Sequence, residues 1–330
     1  MTWLVWRQHR GQFLSAAAVL LVLTAGLLIT GLSIQSSYVN TGLASCLARD
    51  RSACADLVTA FQDQYSAYMY LLPLFLILPG LLGVFWGAPL VAREVEQGTH
   101  RLAWTQSVSR TRWVAVKVLA LAGALLVGVG LFTVVLGWWS GPALAASGSR
   151  FQPGIFDLLG VAPLGYGLFA FALGVAAGTA IHRTVPAMAC TFAIFAAVRA
   201  FVALVLRPRY LPEQTASYAL GKDGGASQLG AWVTSARTVD SAGRLVSHGL
   251  GIEFDLVKAD CPGLQGPASG APPDPAAFQA CIHNAGIHVV ATLQPASRYW
   301  LFQGIEVTLF LLLAAALLTY SVWAVRRRLD

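Results

Sequence analysis

The segment Ala92–Lys117, AREVEQGTHRLAWTQSVSRTRWVAVK, is a polar island between two long apolar runs. Before it stands YMYLLPLFLILPGLLGVFWGAPLV (Tyr68–Val91), and after it VLALAGALLVGVGLFTVVLGWW (Val118–Trp139). The island concentrates five Arg or Lys, two Glu and a Gly-Thr step. The rest of the chain is poor in such residues: of 330 residues 56% are hydrophobic and 11% charged, against about 25% charged in a soluble domain.

Apolar runs of 18 or more residues read as transmembrane helices, because about 20 residues at ~1.5 Å each cross a ~30 Å hydrocarbon core. Six such runs are expected: Phe13–Ile34, Tyr68–Ala92, Val114–Trp139, Ile155–Ile181, Val185–Leu206 and Trp300–Val325. The fourth carries Pro163 and five glycines, which membrane helices tolerate. The fold class is therefore an all-α polytopic membrane protein. Residues 1–206 hold an N-terminal interfacial helix and the first five spans, 207–299 form a large loop, and 300–330 form the last span and a basic tail. The first span is too long for the apolar core of a secretory leader. LASC (Leu43–Cys46) resembles a lipoprotein processing box but is separated from the apolar run by QSSYVNTG, so a retained first helix is expected.

Six crossings place both termini on one side. That side carries eleven positive charges against Glu94, Glu96 and Asp330, all on short segments. The opposite side carries ten positive and eleven negative charges on longer loops. The positive-inside rule then puts the termini and the island in the cytoplasm of a plasma membrane. The net charge of +7 needs no nucleic acid to explain it, since no basic run is interleaved with a stacking surface.

Two long connections lie outside, Gln35–Ala67 and Arg207–Tyr299. The second contains eleven glycines and eight prolines, which favours turns and short elements over a packed sheet. Cys46 and Cys54 fall in the first, Cys261 and Cys281 in the second, and Cys190 within a span. Four cysteines on an oxidising side allow three pairings; the within-loop one, Cys46–Cys54 with Cys261–Cys281, is expected.

Within the island, Gly98 stands where glycine closes a helix. Thr99 can cap a short helix over His100–Gln106, and Ser107 and Ser109 offer a cap for the next span. Arg101, Leu102 and Trp104 would ride on that helix. A positive-inside anchor accounts for the arginines alone; apolar side chains on a capped surface helix point to a protein partner. Upstream, Trp3, Leu4, Trp6, Arg7 and Arg10 suit a helix lying in the interface.

These features resemble the membrane subunits of ABC-2-type ATP-binding-cassette exporters. In that family the first cytoplasmic loop carries an acidic residue, a Gly-Thr step, a short coupling helix, a Ser-Arg pair and a lysine entering the third span. This chain shows Glu94, Glu96, Gly98, Thr99, Ser109, Arg110 and Lys117 in that order. QPASRYWLFQGIE (Gln294–Glu306) is similar to actinobacterial members. One departure is His100, Arg101, Leu102, Ala103 and Trp104, where leucines are usual.

The resemblance implies a permease half coupled to separate ATPase subunits through Glu94, Glu96, Gly98, Thr99, Arg101, Leu102, Trp104, Ser109 and Arg110. It also implies a second permease subunit, identical or related, with ATP and Mg on the ATPase and no cofactor on this chain. The sequence carries no G-x-x-x-x-G-K-[ST] phosphate loop; Gly221–Lys222 is followed by Asp223. No enzyme of its own is expected. His283 and His288 lack a metalloprotease context, no G-x-S-x-G elbow occurs, and no metal site is expected. The other readings are a membrane scaffold or sensor without transport, and an intramembrane enzyme. The apolar spans suit a hydrophobic drug, lipid or lipopeptide as cargo.

Two intramembrane features stand out. Gly174-x-x-x-Gly178 allows close helix approach, either between subunits or within one. Arg199 and Glu306 lie about 21 Å up the fifth span and about 9 Å down the sixth, so they reach one height and are expected to form an ion pair.

Overall fold

A computed structural model describes residues 2–49, 51–98, 110–152, 154–219, 230–248 and 275–327. Most of these residues are helical. The first helix, α1 (Thr2–Asn40), is unbroken, so the expected interfacial helix and first span form one element. Gly11 is the only glycine in its first turns and no proline interrupts it. After a turn at Thr41 and Gly42 come α2 (Leu43–Arg49), a short turn, α3 (Ala55–Met69) and α4 (Leu72–Phe75).

The expected second span does not run as one helix from Tyr68. Its membrane-length part is α5 (Leu78–Glu96), with Pro79 in the first turn. Proline there costs nothing, because the first N–H groups of a helix are unpaired anyway. A helix arriving from Phe75 would lose that bond and clash with the ring.

The other long helices are α6 (Arg110–Ser147), α8 (Ala162–Ile181), α9 (Thr184–Phe201) and α11 (Tyr299–Arg327). The fourth predicted span is divided: α7 (Ile155–Leu158) is separated from α8 by Gly160, whose φ is +76°. Among the described residues five stretches are long and apolar enough to cross a membrane: Leu14–Asn40, Thr111–Ser147, Ala162–Ile181, Thr184–Arg209 and Ala296–Arg327. The nineteen-residue α5 has charges in its last turn.

α8 is the central helix, mostly buried along its length. On one side it meets α5 and α6 through Trp86, Leu90, Leu121, Leu125, Phe171 and Val175. On the other it meets α9 and α11 through Phe169, Phe195 and Phe310. The α5–α8 contact is a backbone approach. A Cβ on Gly174 would lie 2.6 Å from the Ala88 nitrogen, and one on Gly178 2.5 Å from the Ala88 oxygen. Gly83 and Gly87 on α5 face Ala170 and Phe171 in the same way. The Gly174/Gly178 pair therefore packs inside one subunit, and that face is closed to a second copy.

The long connection after α9 holds a four-stranded antiparallel sheet, where turns were expected. Its order is β1 (Gln214–Ala219), β4 (His288–Gln294), β2 (Trp232–Val239), β3 (Leu245–His248). In β4, HVVATLQ, burial alternates, with Val289, Ala291 and Leu293 inside. That period of two, with β-branched residues, is a strand signal. β4 pairs on both edges, Ala219 with His288 on one side and Val239 with His288 on the other. The helix α10 (Pro275–Asn284) precedes β4. Cys46 and Cys54 form a disulfide. Cys281 is also disulfide-bonded, and Cys261 lies outside the described residues. Cys190 is a free thiol.

Candidate functional site

Two polar constellations occupy opposite ends of the helix bundle. The first brackets the island. Gly98 adopts φ +68° and donates to the Val95 carbonyl at 3.1 Å, while Gln97 donates to Arg93 at 3.0 Å. This left-handed turn ends α5, as glycine permits. Thr99, Arg101, Leu102, Trp104 and Ser109, with the expected coupling helix, lie outside the described residues. Arg110 opens α6.

Glu94 does not face outward. It is buried and paired with Lys117 of α6, itself buried, whose ammonium also sits 4.5 Å from the Trp113 ring centroid. A buried charge near a helix end is tolerable only with a partner. Glu94 is thus a brace between the two flanks of the island.

Glu96 is exposed and reaches a third helix. Its Oε2 accepts from the Thr184 hydroxyl at 2.8 Å and from the Thr184 backbone N–H at 3.1 Å. It thereby caps α9, whose own preceding residue Arg183 offers no side-chain cap. The Thr184 hydroxyl first, then its N–H, hold the Glu96 carboxyl below the usual carboxylate range. Beside this cap, His182 ends α8 with φ +59°. Its Nε2 is buried without a hydrogen-bond partner among the described residues. α5, α6 and α9 are therefore fastened together where the island departs.

The second constellation lies at the sheet end. Arg199 Nη1 is 3.1 Å from Glu306 Oε1, so the two sequence-expected charges meet, but within a larger group. Arg199 Nη2 donates to Asp157 at 2.9 Å. Arg207 donates to Glu306 at 2.9 Å from Nε and 2.7 Å from Nη2, and its Nη2 also bonds Asp157. The Tyr166 hydroxyl lies 2.7 Å from Glu306 and 3.2 Å from Asp157, and its ring carries the Arg199 guanidinium at 3.5 Å. Two cations and two anions, from α7, α9, the turn Arg207–Arg209 beyond it and α11, cancel around one tyrosine of α8.

Arg199 and Arg207 reach one site because the helix changes pitch between them. Eight residues of α-helix leave two side chains about 80° apart. Val202–Leu206 form a π-helical turn, whose i→i+5 closure takes up an extra residue and returns Arg207 to the face of Arg199.

The QPASRYWLFQGIE segment is a ladder onto this group. Gln294 donates to the Leu211 carbonyl at 2.8 Å and accepts from Arg298 at 2.7 Å. Gln303 Oε1 accepts from Val161 and Ala162 N–H at 3.1 and 2.8 Å, capping α8, while its Nε2 donates to Phe156 at 2.9 Å. Glu306 closes the ladder in the charge cluster. Phe151, Phe156, Tyr299 and Phe302 pack beside it against Trp232 of β2. The last span, the sheet and the start of α8 are thus one unit.

Asp157 and Arg207 were missed from the sequence because both sit at span ends and count there as loop charges. For Arg207 a signal was available: it directly follows a span already holding Arg199. Among the described residues no three His, Cys, Asp or Glu side chains are grouped to hold a metal ion.

A family model described as ABC-2 membrane transporter related matches residues 17–207, more than half of the chain. It runs from α1 through Arg207 and so takes in the island, Asp157, Tyr166 and both clustered arginines. No curated protein and no solved structure matches.

Proposed function

The chain belongs to the ABC-2 membrane transporter related family, and from that premise we propose that it is the permease subunit of an ATP-driven exporter. The observation that carries this reading is the island. It leaves a membrane-length helix bundle at a left-handed glycine, and its two flanks and the α8–α9 turn are tied together by Glu94–Lys117 and Glu96–Thr184. A push on the segment after Gly98 would reach α5, α6 and α9 at once. ATP-driven closure of separate ATPase subunits supplies that push, biasing a two-state bundle between inward and outward openings. ATP and Mg belong to those subunits. A second permease, identical or related, completes the path. The termini and the island face the cytoplasm of a bacterial plasma membrane, and the cargo is apolar or amphipathic.

The test is isolation of the tagged full chain in mild detergent, followed by identification of what accompanies it. A co-purifying ATP-binding-cassette ATPase, with ATP-dependent movement of an apolar fluorescent compound in proteoliposomes, is the expected result. A chain that purifies without any ATPase, and whose vesicles move nothing on adding ATP, overturns the reading.

A further inference from the structure

A cavity of about 410 Å³ lies at the sheet end, between α3 and the last turns of α6. It is separate from both constellations above. Phe61, Tyr65 and Leu72 make its apolar wall, all buried, with the Phe61 and Tyr65 rings 4.9 Å apart. The opposite wall is Ser140, Ala143, Leu144 and Ser147 of α6. Among its lining residues none is charged. Gln62 and Gln152 line it and have no side-chain hydrogen-bond partner among the described residues.

Three observations bear on what would fit. The volume is that of a small-molecule site, about 300–1,000 Å³. The wall is aromatic and aliphatic with unspent amide donors and acceptors, so an apolar body with a hydrogen-bonding head is matched. A charged head would find no counter-ion among the lining residues. Beside the cavity, Tyr70, Leu71, Leu74 and Ile77 are exposed, which gives a greasy approach from the lipid at this level. The Cys46–Cys54 disulfide precedes α3 and fixes the chain leading into this wall.

The geometry points to a binding site for an uncharged amphiphile, entered from the membrane leaflet at the sheet end. Its apolar body lies against Phe61, Tyr65 and Leu72, and its hydroxyl or amide head meets Gln62 and Gln152. As a station on a transport route it rests on the permease reading; as a binding site it does not.

The test uses the full chain in phosphatidylcholine nanodiscs and a photoactivatable monoacylglycerol bearing an alkyne, with the corresponding fatty acid as the charged counterpart. Mapping should place the monoacylglycerol label on the peptides of residues 55–72 and 140–155, with the fatty acid labelling them about tenfold less. Ala143→Trp should fill the space and reduce labelling about tenfold. Gln62→Leu with Gln152→Leu, both exposed positions, should erase the preference for the hydroxyl head without disturbing the fold. Displacement by diacylglycerol supports entry from the bilayer, and displacement only by a water-borne aromatic alcohol overturns it. Label spread evenly over α1 and unchanged in all variants, or equal labelling by the fatty acid, overturns the site. ATPase coupling intact with no such labelling defeats the site alone; labelling without any ATPase coupling defeats the permease reading alone.

Discussion

At the scale of single residues, the buried charges make the sharpest demand. Glu306 has no exposed side-chain surface and accepts from Arg199, Arg207 and Tyr166. Removing one partner of such a group leaves the other charges uncompensated, at a cost of about 3–5 kcal/mol. Arg199→Ala and Glu306→Ala should each lower the unfolding temperature in detergent, and the double variant should fall short of their sum by about 1–3 kcal/mol. Because Arg207 and Asp157 remain paired in the double variant, it should still fold; strict additivity would remove the pairing from the account of stability. Gly98 makes a different demand. Among the described residues no atom lies within 4 Å of where its Cβ would be, so its φ of +68° is what resists substitution there. Gly98→Val should therefore cost about 1–2 kcal/mol locally, leaving expression normal and reducing ATPase stimulation. Unchanged transport in that variant would separate this turn from coupling. Glu96 adds a pH dependence. Its folded carboxyl is depressed by Thr184, so the cap is fully present above the unfolded value near ~4.3 and is lost as pH falls through the folded one. Amide exchange in the first turn of α9, corrected for its intrinsic rate, should speed up below that window in the wild type. In Glu96→Gln it should show no such step.

Among the elements, α5 and α8 meet through glycines on both sides. A side chain on Gly174 would meet the Ala88 nitrogen, and backbone cannot give way as a flexible side chain can. Gly174→Leu should destabilise the monomer by about 1–3 kcal/mol or more through overpacking. Loss of dimer with an undamaged monomer, read by cross-linking and thermal unfolding together, would return the motif to a subunit interface. The spacing of Gly174 and Gly178 was visible in the sequence, but its partner was not, because Gly83 and Gly87 sit in a run that reads simply as membrane helix. The helices themselves were legible from apolar length. Their breaks were less so, since Pro79 acts through the N–H it lacks and Gly160 through the positive φ it permits. The sheet was hidden for a related reason: β4 carries a period-two pattern, but its partners β1 and β2 lie on the far side of a glycine- and proline-rich stretch. Composition pointed to turns, and pairing across that distance is a tertiary fact. Glu94 shows the same limit at the island, where an acidic residue at the expected place turned inward to Lys117.

For the whole molecule, the number of crossings decides where the termini lie. Among the described residues five stretches meet the length and apolarity of a span, and an odd number would leave the two ends on opposite sides. α5 is the element on which the count turns. Its nineteen residues span about 28 Å at the helical rise, close to the ~30 Å of a hydrocarbon core. Its charges, Arg93, Glu94 and Glu96, fall together in the last turns, and its middle is buried on α8. A helix of that length packed along a spanning helix is expected to cross with it. Six crossings also gather Arg7, Arg10, the island and Arg326–Arg328 on one face, as basic residues gather on the cytoplasmic side. A fluorescent protein fused at either terminus of the full chain should therefore fold and fluoresce. Alkaline phosphatase at either terminus should be inactive. In a Cys190→Ser background, Gln97→Cys should react with an impermeant maleimide only in inverted vesicles, and Ala60→Cys only in intact cells. Phosphatase activity at one terminus alone would mean that α5 does not cross, and the island would then stand on the opposite side from one end of the chain.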